Sequence, residues 1–154
     1  MHAVRISAKG DYAVRAAIEL ALAGEEPLSA ETIATRQDIP RSFMKKILND
    51  MGRAGLVAAV RGRDGGNRLA RPAGEISIAD ILRAIEGPLA DVHGVAPERL
   101  LYPETAEPLR EVWIALRANL RAVLETVTLE ALAEDRLPKR VANLAQNDDA
   151  RLRR

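Results

Sequence analysis

Residues 61–71 read RGRDGGNRLAR, which sets three glycines among four arginines. Glycines beside guanidinium groups serve two chemistries. They can cradle the phosphates of a bound nucleotide, or they can form the tip of a hairpin whose arginines meet the backbone of a nucleic acid. The first chemistry needs a particular spacing. A phosphate loop requires GxxxxGK[ST], and a dinucleotide fingerprint requires GxGxxG at the entrance to a βαβ unit; the chain offers neither. The glycines therefore read as a wing.

Other reactive residue types are scarce. Cysteine is absent, which excludes disulfides, thiol chemistry, thiolate-ligated zinc and a cysteine-ligated iron-sulfur cluster. The two histidines, His2 and His93, lie in distant parts of the sequence. His93 stands near Asp91, Glu98 and Glu104, from which a metal or pH sensor could be built. The spacing is not helical, however, and a surface histidine is the default reading. No nucleophile and base motif appears, so the chain reads as a non-enzyme without a built-in cofactor.

These residues need a scaffold, and 154 residues with 47% apolar content are enough for a small domain with a core plus an assembly element. Net charge is +1, but residues 1–72 carry +4, residues 73–135 carry −7 and residues 136–154 carry +4. Such a split suits a nucleic-acid-facing first half joined to a region that avoids the same partner. No run approaches eighteen apolar residues and the stretch MHAVRISAKGDYAVRA lacks an apolar signal segment, so the expected location is cytoplasmic, without membrane contact.

Helical periodicity organises the first half. Ser7 is placed to cap a helix over 8–23, with Ala8, Tyr12, Ala16 and Leu20 on one stripe. A short helix follows Ser29. After DIPR, a third helix over 41–54 puts Met44, Ile47, Leu48 and Met51 inward and ends at Gly55. LVAAVRG, RDGG and NRLAR then predict a β-hairpin. Ser77 and Asp80 form an approximate capping box before IADILRAIEG. Residues 87–104 hold three prolines and two glycines and read as loop. A longer helix over 107–125 carries Leu109, Val112, Trp113, Leu116, Leu120, Val123 and Leu124. Its cheapest burial is against a second copy of itself about a two-fold axis. Thr128 is placed to cap a last short turn, and residues 136–154 read as a basic, flexible tail.

The expected fold class is thus mainly α with a small β-hairpin wing. It divides into a winged helix-turn-helix over 1–87, a loop over 88–104, a dimerisation helix with a short following helix over 105–135, and the tail.

The third helix is the recognition candidate, its N-terminal part entering the major groove of double-stranded DNA. Arg41, Ser42, Lys45, Lys46 and Asn49 fall near its exposed face. Arg41 and Asn49 have side chains suited to guanine and adenine edges, while the lysines neutralise phosphates. Arg61, Arg63 and Asn67 of the wing are placed for backbone or minor groove. Arg68 is placed for the same contact or, since alternation puts it on the other strand face, for covering the domain surface. Ser29 offers a hydroxyl to a phosphate or to its own helix terminus, the plain cap being the simpler role. Tyr12 reads as core with its hydroxyl near the surface. Trp113 reads as buried against a partner or the winged domain, with stacking on an effector as the alternative. A winged helix specialised for protein contact is the competing reading.

The segments RISAKGDYAVRAAIELA, LSAETIATRQDIPRSFMKKILNDMGRAGLVAAVRGRDGGNRLARP and EISIADILRAIEG together resemble the Rrf2 family of bacterial winged-helix transcription regulators. The likeness covers residues 1–87 and continues more loosely over 105–135. It implies a homodimer that binds an imperfect palindrome in promoter DNA, most often as a repressor. Cluster-binding members of the family hold an iron-sulfur cluster through three cysteines between the fourth short helix and the long helix. Here that region is GPLADVHGVAPERLLYPETAEPLREVW, with none. The chain therefore resembles the cluster-free members, some controlled by a small-molecule or protein partner such as an enzyme of cysteine synthesis.

Overall fold

The structure, a computed structural model, describes residues 4–153, so His2 lies outside the described residues. Helix α1 spans Ala8–Ala23, and Ser7 Oγ caps it by accepting the Gly10 N–H at 2.9 Å. Helix α2 spans Ala30–Gln37 and ends where Asp38 turns left-handed at φ 52°. Helix α3 spans Arg41–Arg53, with Pro40 at its N-cap, where a missing N–H costs no intrahelical bond. Gly55, at φ 75°, takes the left-handed conformation that closes a helix and turns the chain into the hairpin.

Strands β1, Val57–Val60, and β2, Gly66–Leu69, pair antiparallel from Val57 opposite Leu69 to Val60 opposite Gly66. The wing gains a third chain segment, an isolated bridge from Leu28 to β2, that alternation does not announce. Leu28 N–H donates to Asn67 O at 2.9 Å and Asn67 N–H donates back to Leu28 O at 2.7 Å. The tight turn explains one glycine and the Leu28 bridge another. A Cβ at Gly65 would stand 2.1 Å from the Val60 carbonyl oxygen, and one at Gly66 would stand 2.6 Å from that of Leu28. Close approach of backbone to backbone, not phosphate binding, accounts for their place in the turn.

Helix α4, Ile78–Glu86, carries the full capping box. Ser77 Oγ accepts the Asp80 N–H at 3.1 Å and the Asp80 carboxylate accepts the Ser77 N–H at 2.9 Å. The core lies among these helices. Leu20, Ile33, Met44, Ile47, Met51 and Ile81 are all fully buried within it. Tyr12 is half-buried, edge-on to the exposed Phe43 ring with centroids 6.2 Å apart, and the Arg15 guanidinium lies over its face.

The stretch from 87 to 107, of which the sequence predicts 87–104 as loop, is irregular but anchored. Val92 and Val95 pair across a tip formed by His93 and Gly94, both left-handed, and 3-10 turns occur at Pro97–Arg99 and Glu104–Ala106. Helix α5, Pro108–Leu124, holds this stretch down. Arg110 donates to the Leu100 carbonyl at 2.9 and 2.7 Å, and Trp113 Nε1–H donates to the Tyr102 hydroxyl at 3.0 Å.

After α5 the chain returns to the winged domain. Thr128 caps α6, Leu129–Ala133, and Leu129 is fully buried in the same core as α1 to α4. Two backbone bonds stitch it there, Leu129 N–H to Ile76 O at 2.9 Å and Ile78 N–H to Val127 O at 3.0 Å. Sequence periodicity groups this turn with the long helix, whereas its packing belongs to the winged domain. The segment after residue 135, expected as a flexible tail, contains two further short helices, α7 at Lys139–Gln146 and α8 at Asp148–Arg151. Neither buries a residue.

Candidate nucleic-acid interface

Helix α3 is amphipathic by its spacing: Met44, Ile47, Leu48 and Met51 point inward and leave Ser42, Lys45, Lys46 and Asn49 exposed. Its apolar stripe packs into the core that it shares with α1 and α2. Lys9 of α1 adds a polar tie, its Nζ lying 2.6 Å from the Asp50 carboxylate at the other end of α3. That hydrogen bond, with the nearby charges of Lys9, Arg53 and Lys46, holds the Asp50 carboxyl below its ordinary pKa against the opposing pull of desolvation.

The structure brings three of the nine expected contact residues into one groove. Lys45, Asn49 and Asn67 line a single groove of about 250 Å³ together with Ala30 and Leu48, so recognition helix, α2 terminus and wing base meet there. Lys45 and Lys46 on the helix, and Arg61 and Arg63 at the exposed wing tip, form no ion pair among the described residues. Their charge is available to an external anion. Unneutralised cations concentrated on a helix face and a hairpin tip are what a phosphate backbone attracts.

Three expected residues are more constrained. Arg41, at the flank of α3, meets Glu31 of α2 at 2.7 Å, with both side chains exposed. Asn67 donates its amide to the Leu28 carbonyl at 3.2 Å and so helps anchor the wing. Ser29 Oγ accepts the Thr32 N–H at 3.0 Å and shares a 2.8 Å bond with the Thr32 hydroxyl, the capping role its position implied. Arg68 lies on the other strand face and pairs with Glu25 at 3.1 Å, away from the groove.

Phe43 was missed by reading the sequence as polar against apolar faces. It is half exposed between Ser42 and Met44, on the α1 side of the recognition helix. An aromatic residue among basic ones is the available signal, since only the fold shows that the core does not take the ring.

The second candidate surface is α5. No residue of its seventeen is buried. Leu109 and Val112 are exposed, and Trp113, Leu116, Leu120, Val123 and Leu124 are only partly covered.

Comparison with known proteins gives these surfaces a context. A sequence model of the Rrf2 family, described as an iron-dependent transcriptional regulator, matches residues 6–135. The Rv1287 protein of Mycobacterium tuberculosis is 46% identical over 145 residues, covering 94% of this chain and 90% of its own. The HTH-type transcriptional regulator CymR of Bacillus subtilis is 36% identical over 131 residues, covering 84% and 90%. Its solved structure, described as that of the global cysteine regulator, superposes with a TM-score of 0.74 over 86% of this chain and 98% of its own, at 34% identity. The IscR structure from T. potens superposes with a TM-score of 0.69 at 32% identity, covering 93% and 91%.

The iron of the family's description finds no fitting residues here. The chain has no cysteine, and among the described residues no three His, Asp or Glu side chains gather as a metal site. No helix among them is long and apolar enough to cross a membrane. An α3 with an exposed basic face, an arginine-tipped wing and this span of likeness lead to one conclusion: the chain belongs to the Rrf2 family of winged helix-turn-helix proteins, as a DNA-binding transcription regulator without a cysteine-ligated cluster rather than an enzyme.

Proposed function

We propose that the protein is a homodimeric, cytoplasmic repressor that reads a palindromic operator through α3 and the wing. The observation that carries the reading is the presence of two unsatisfied surfaces in one chain. One is the unpaired charge of Lys45, which lines the groove with Asn49, together with Lys46 of the same helix and Arg61 and Arg63 of the wing. The other is the unburied stripe of α5.

Two copies joined along Leu109, Val112, Trp113, Leu116, Leu120, Val123 and Leu124 would present two recognition helices to the same face of DNA, about 34 Å or one helical turn apart. Asn49 reads a base edge, Arg41 reads another when it leaves Glu31, and Ser42 lies beside them. The lysines and wing arginines supply the sequence-independent affinity. Ser29 and Asn67 support this surface by fixing the α2 terminus and the wing base. Occupancy of a promoter then blocks polymerase. A small-molecule or protein effector acts through the joint between α5 and the winged domain.

The test is selection of genomic fragments by the purified full chain at two salt concentrations. Enrichment of a two-fold sequence, with affinity falling steeply as salt rises, is expected. A folded protein that enriches no sequence at either salt would overturn the reading.

A further inference from the structure

A cleft of about 570 Å³ lies where α4, the stretch after it and α5 meet, within the size range of small-metabolite sites. Arg83 enters it from α4, Arg117 and Arg121 from α5, and Asp91 from the intervening stretch. We propose that this cleft binds a small organic polyanion bearing a hydroxyl or amino donor, and that the ligand resets the joint between α5 and the winged domain. The proposal rests on the regulator reading above and names the effector class for it.

The argument begins with charge. Three guanidinium groups converge from two elements, and the carboxylates that hold them are shared or half exposed. Glu125 bonds Arg83 and also stands 3.9 Å from Arg121 Nε, so one carboxylate serves two arginines. Glu98 lies 2.7 Å from Arg117, whose side chain is 14% exposed. Each guanidinium has five donors, and these pairs leave most of them unused. Ion pairs of half-exposed carboxylates contribute little and are readily exchanged. A ligand with two anionic groups can replace both at once by bidentate contacts.

Asp91 makes the site selective. Its carboxylate repels a featureless anion and accepts a hydrogen bond from a ligand hydroxyl or ammonium, so the cleft fits a hydroxy-polycarboxylate or a phosphate ester with free hydroxyls. Helical spacing puts Arg117 next to Trp113, Leu120 and Leu124 but about 100° or more around α5 from Val112, Leu116 and Val123, so a two-fold contact centred on those last three leaves the cleft open.

The coupling follows from the same residues. Arg83 to Glu125 is an ion pair between α4 and the C-terminal cap of α5. A ligand anion on Arg83 competes with Glu125 for the same guanidinium charge, and by displacing it exchanges a direct link between the two elements for one through itself. A ligand with different contacts in two arrangements of that joint shifts their populations, and with them the spacing of the two recognition helices.

The test is titration of the full chain with citrate and, separately, glycerol 3-phosphate, against acetate and chloride at matched ionic strength. Calorimetry gives the binding, and fluorescence of the only tryptophan, Trp113, one helical turn from Arg117, gives a second signal. Saturable binding of either probe is expected, the responding probe showing whether carboxylate or phosphate is the ligand chemistry. Arg121→Gln should weaken it about tenfold by removing a charge-assisted contact. Glu125→Gln should tighten it by freeing Arg83 and Arg121, an effect that misfolding would not produce. No saturable binding up to about 10 mM, a free energy below about 3 kcal/mol, by protein that still selects its palindrome would overturn the proposal alone. Unchanged binding in both variants would overturn it equally. Failure to select any palindrome without a probe would instead overturn the regulator reading.

Discussion

Lys9 and Asp50 join the first turn of α1 to the last turns of α3 by a 2.6 Å ion pair, so the recognition helix is held at its far end by a residue forty-one positions earlier. Because Lys9 holds the Asp50 carboxyl below its ordinary pKa, the pair stabilises the fold at pH values above the usual carboxylate range. That contribution is lost as pH falls through the lowered folded value. Asp50→Asn should therefore lower the melting temperature at pH 7, and the difference from the parent should shrink toward zero in strong acid. A melting-temperature difference that persists unchanged at pH 2 would show that Asp50 acts by packing instead.

Lys45 and Arg63 should each supply a phosphate contact. Replacing either by Ala is expected to weaken binding similarly on all sequences and to reduce the slope of log affinity against log salt by about 1. Asn49→Ala should behave differently, costing about 1–3 kcal/mol at one base pair of each half-site and little elsewhere. Binding titrations on the selected operator and its single-base variants separate the two patterns.

The wing depends on close backbone contact in the turn between β1 and β2. Gly65→Ala places a methyl where the Val60 oxygen stands 2.1 Å away, which the hairpin can relieve only by opening. Operator affinity should fall while far-UV circular dichroism stays that of the parent, because the helices do not use this turn. Parental affinity in the variant would show that the wing contributes nothing.

The exposed stripe of α5 predicts a defined failure. Leu116→Asp puts a charge into the proposed two-fold contact and should give monomer or aggregate in sedimentation, with operator binding lost. Retention of a stable dimer would move the interface elsewhere.

Leu129 should behave as a core residue of the winged domain despite following the long helix. Leu129→Ala should cost about 2–5 kcal/mol in denaturant unfolding, the usual penalty for a fully buried leucine. A cost near zero would mean that α6 does not close the core.

Much of this protein was legible along the chain because local chemistry dictates it. Ser7, Ser29, Ser77 and Thr128 cap the helices that their spacing announces, since a side-chain oxygen near free N–H groups acts over three residues. The inward stripe of α3, the stop at Gly55 and the glycine-rich hairpin follow from the same short-range rules. The absence of cysteine determined, with no structure at all, that a cysteine-ligated cluster has no place here. Tertiary structure alone decided what distant residues do to one another. It joined Leu28 to the wing, took Arg41 to Glu31 and Asn67 to the Leu28 carbonyl, returned Leu129 to the first core, and gathered Arg83, Arg117 and Arg121 around one cleft. Periodicity assigns a residue to a face, but which element that face meets depends on how the whole chain closes around its apolar surface.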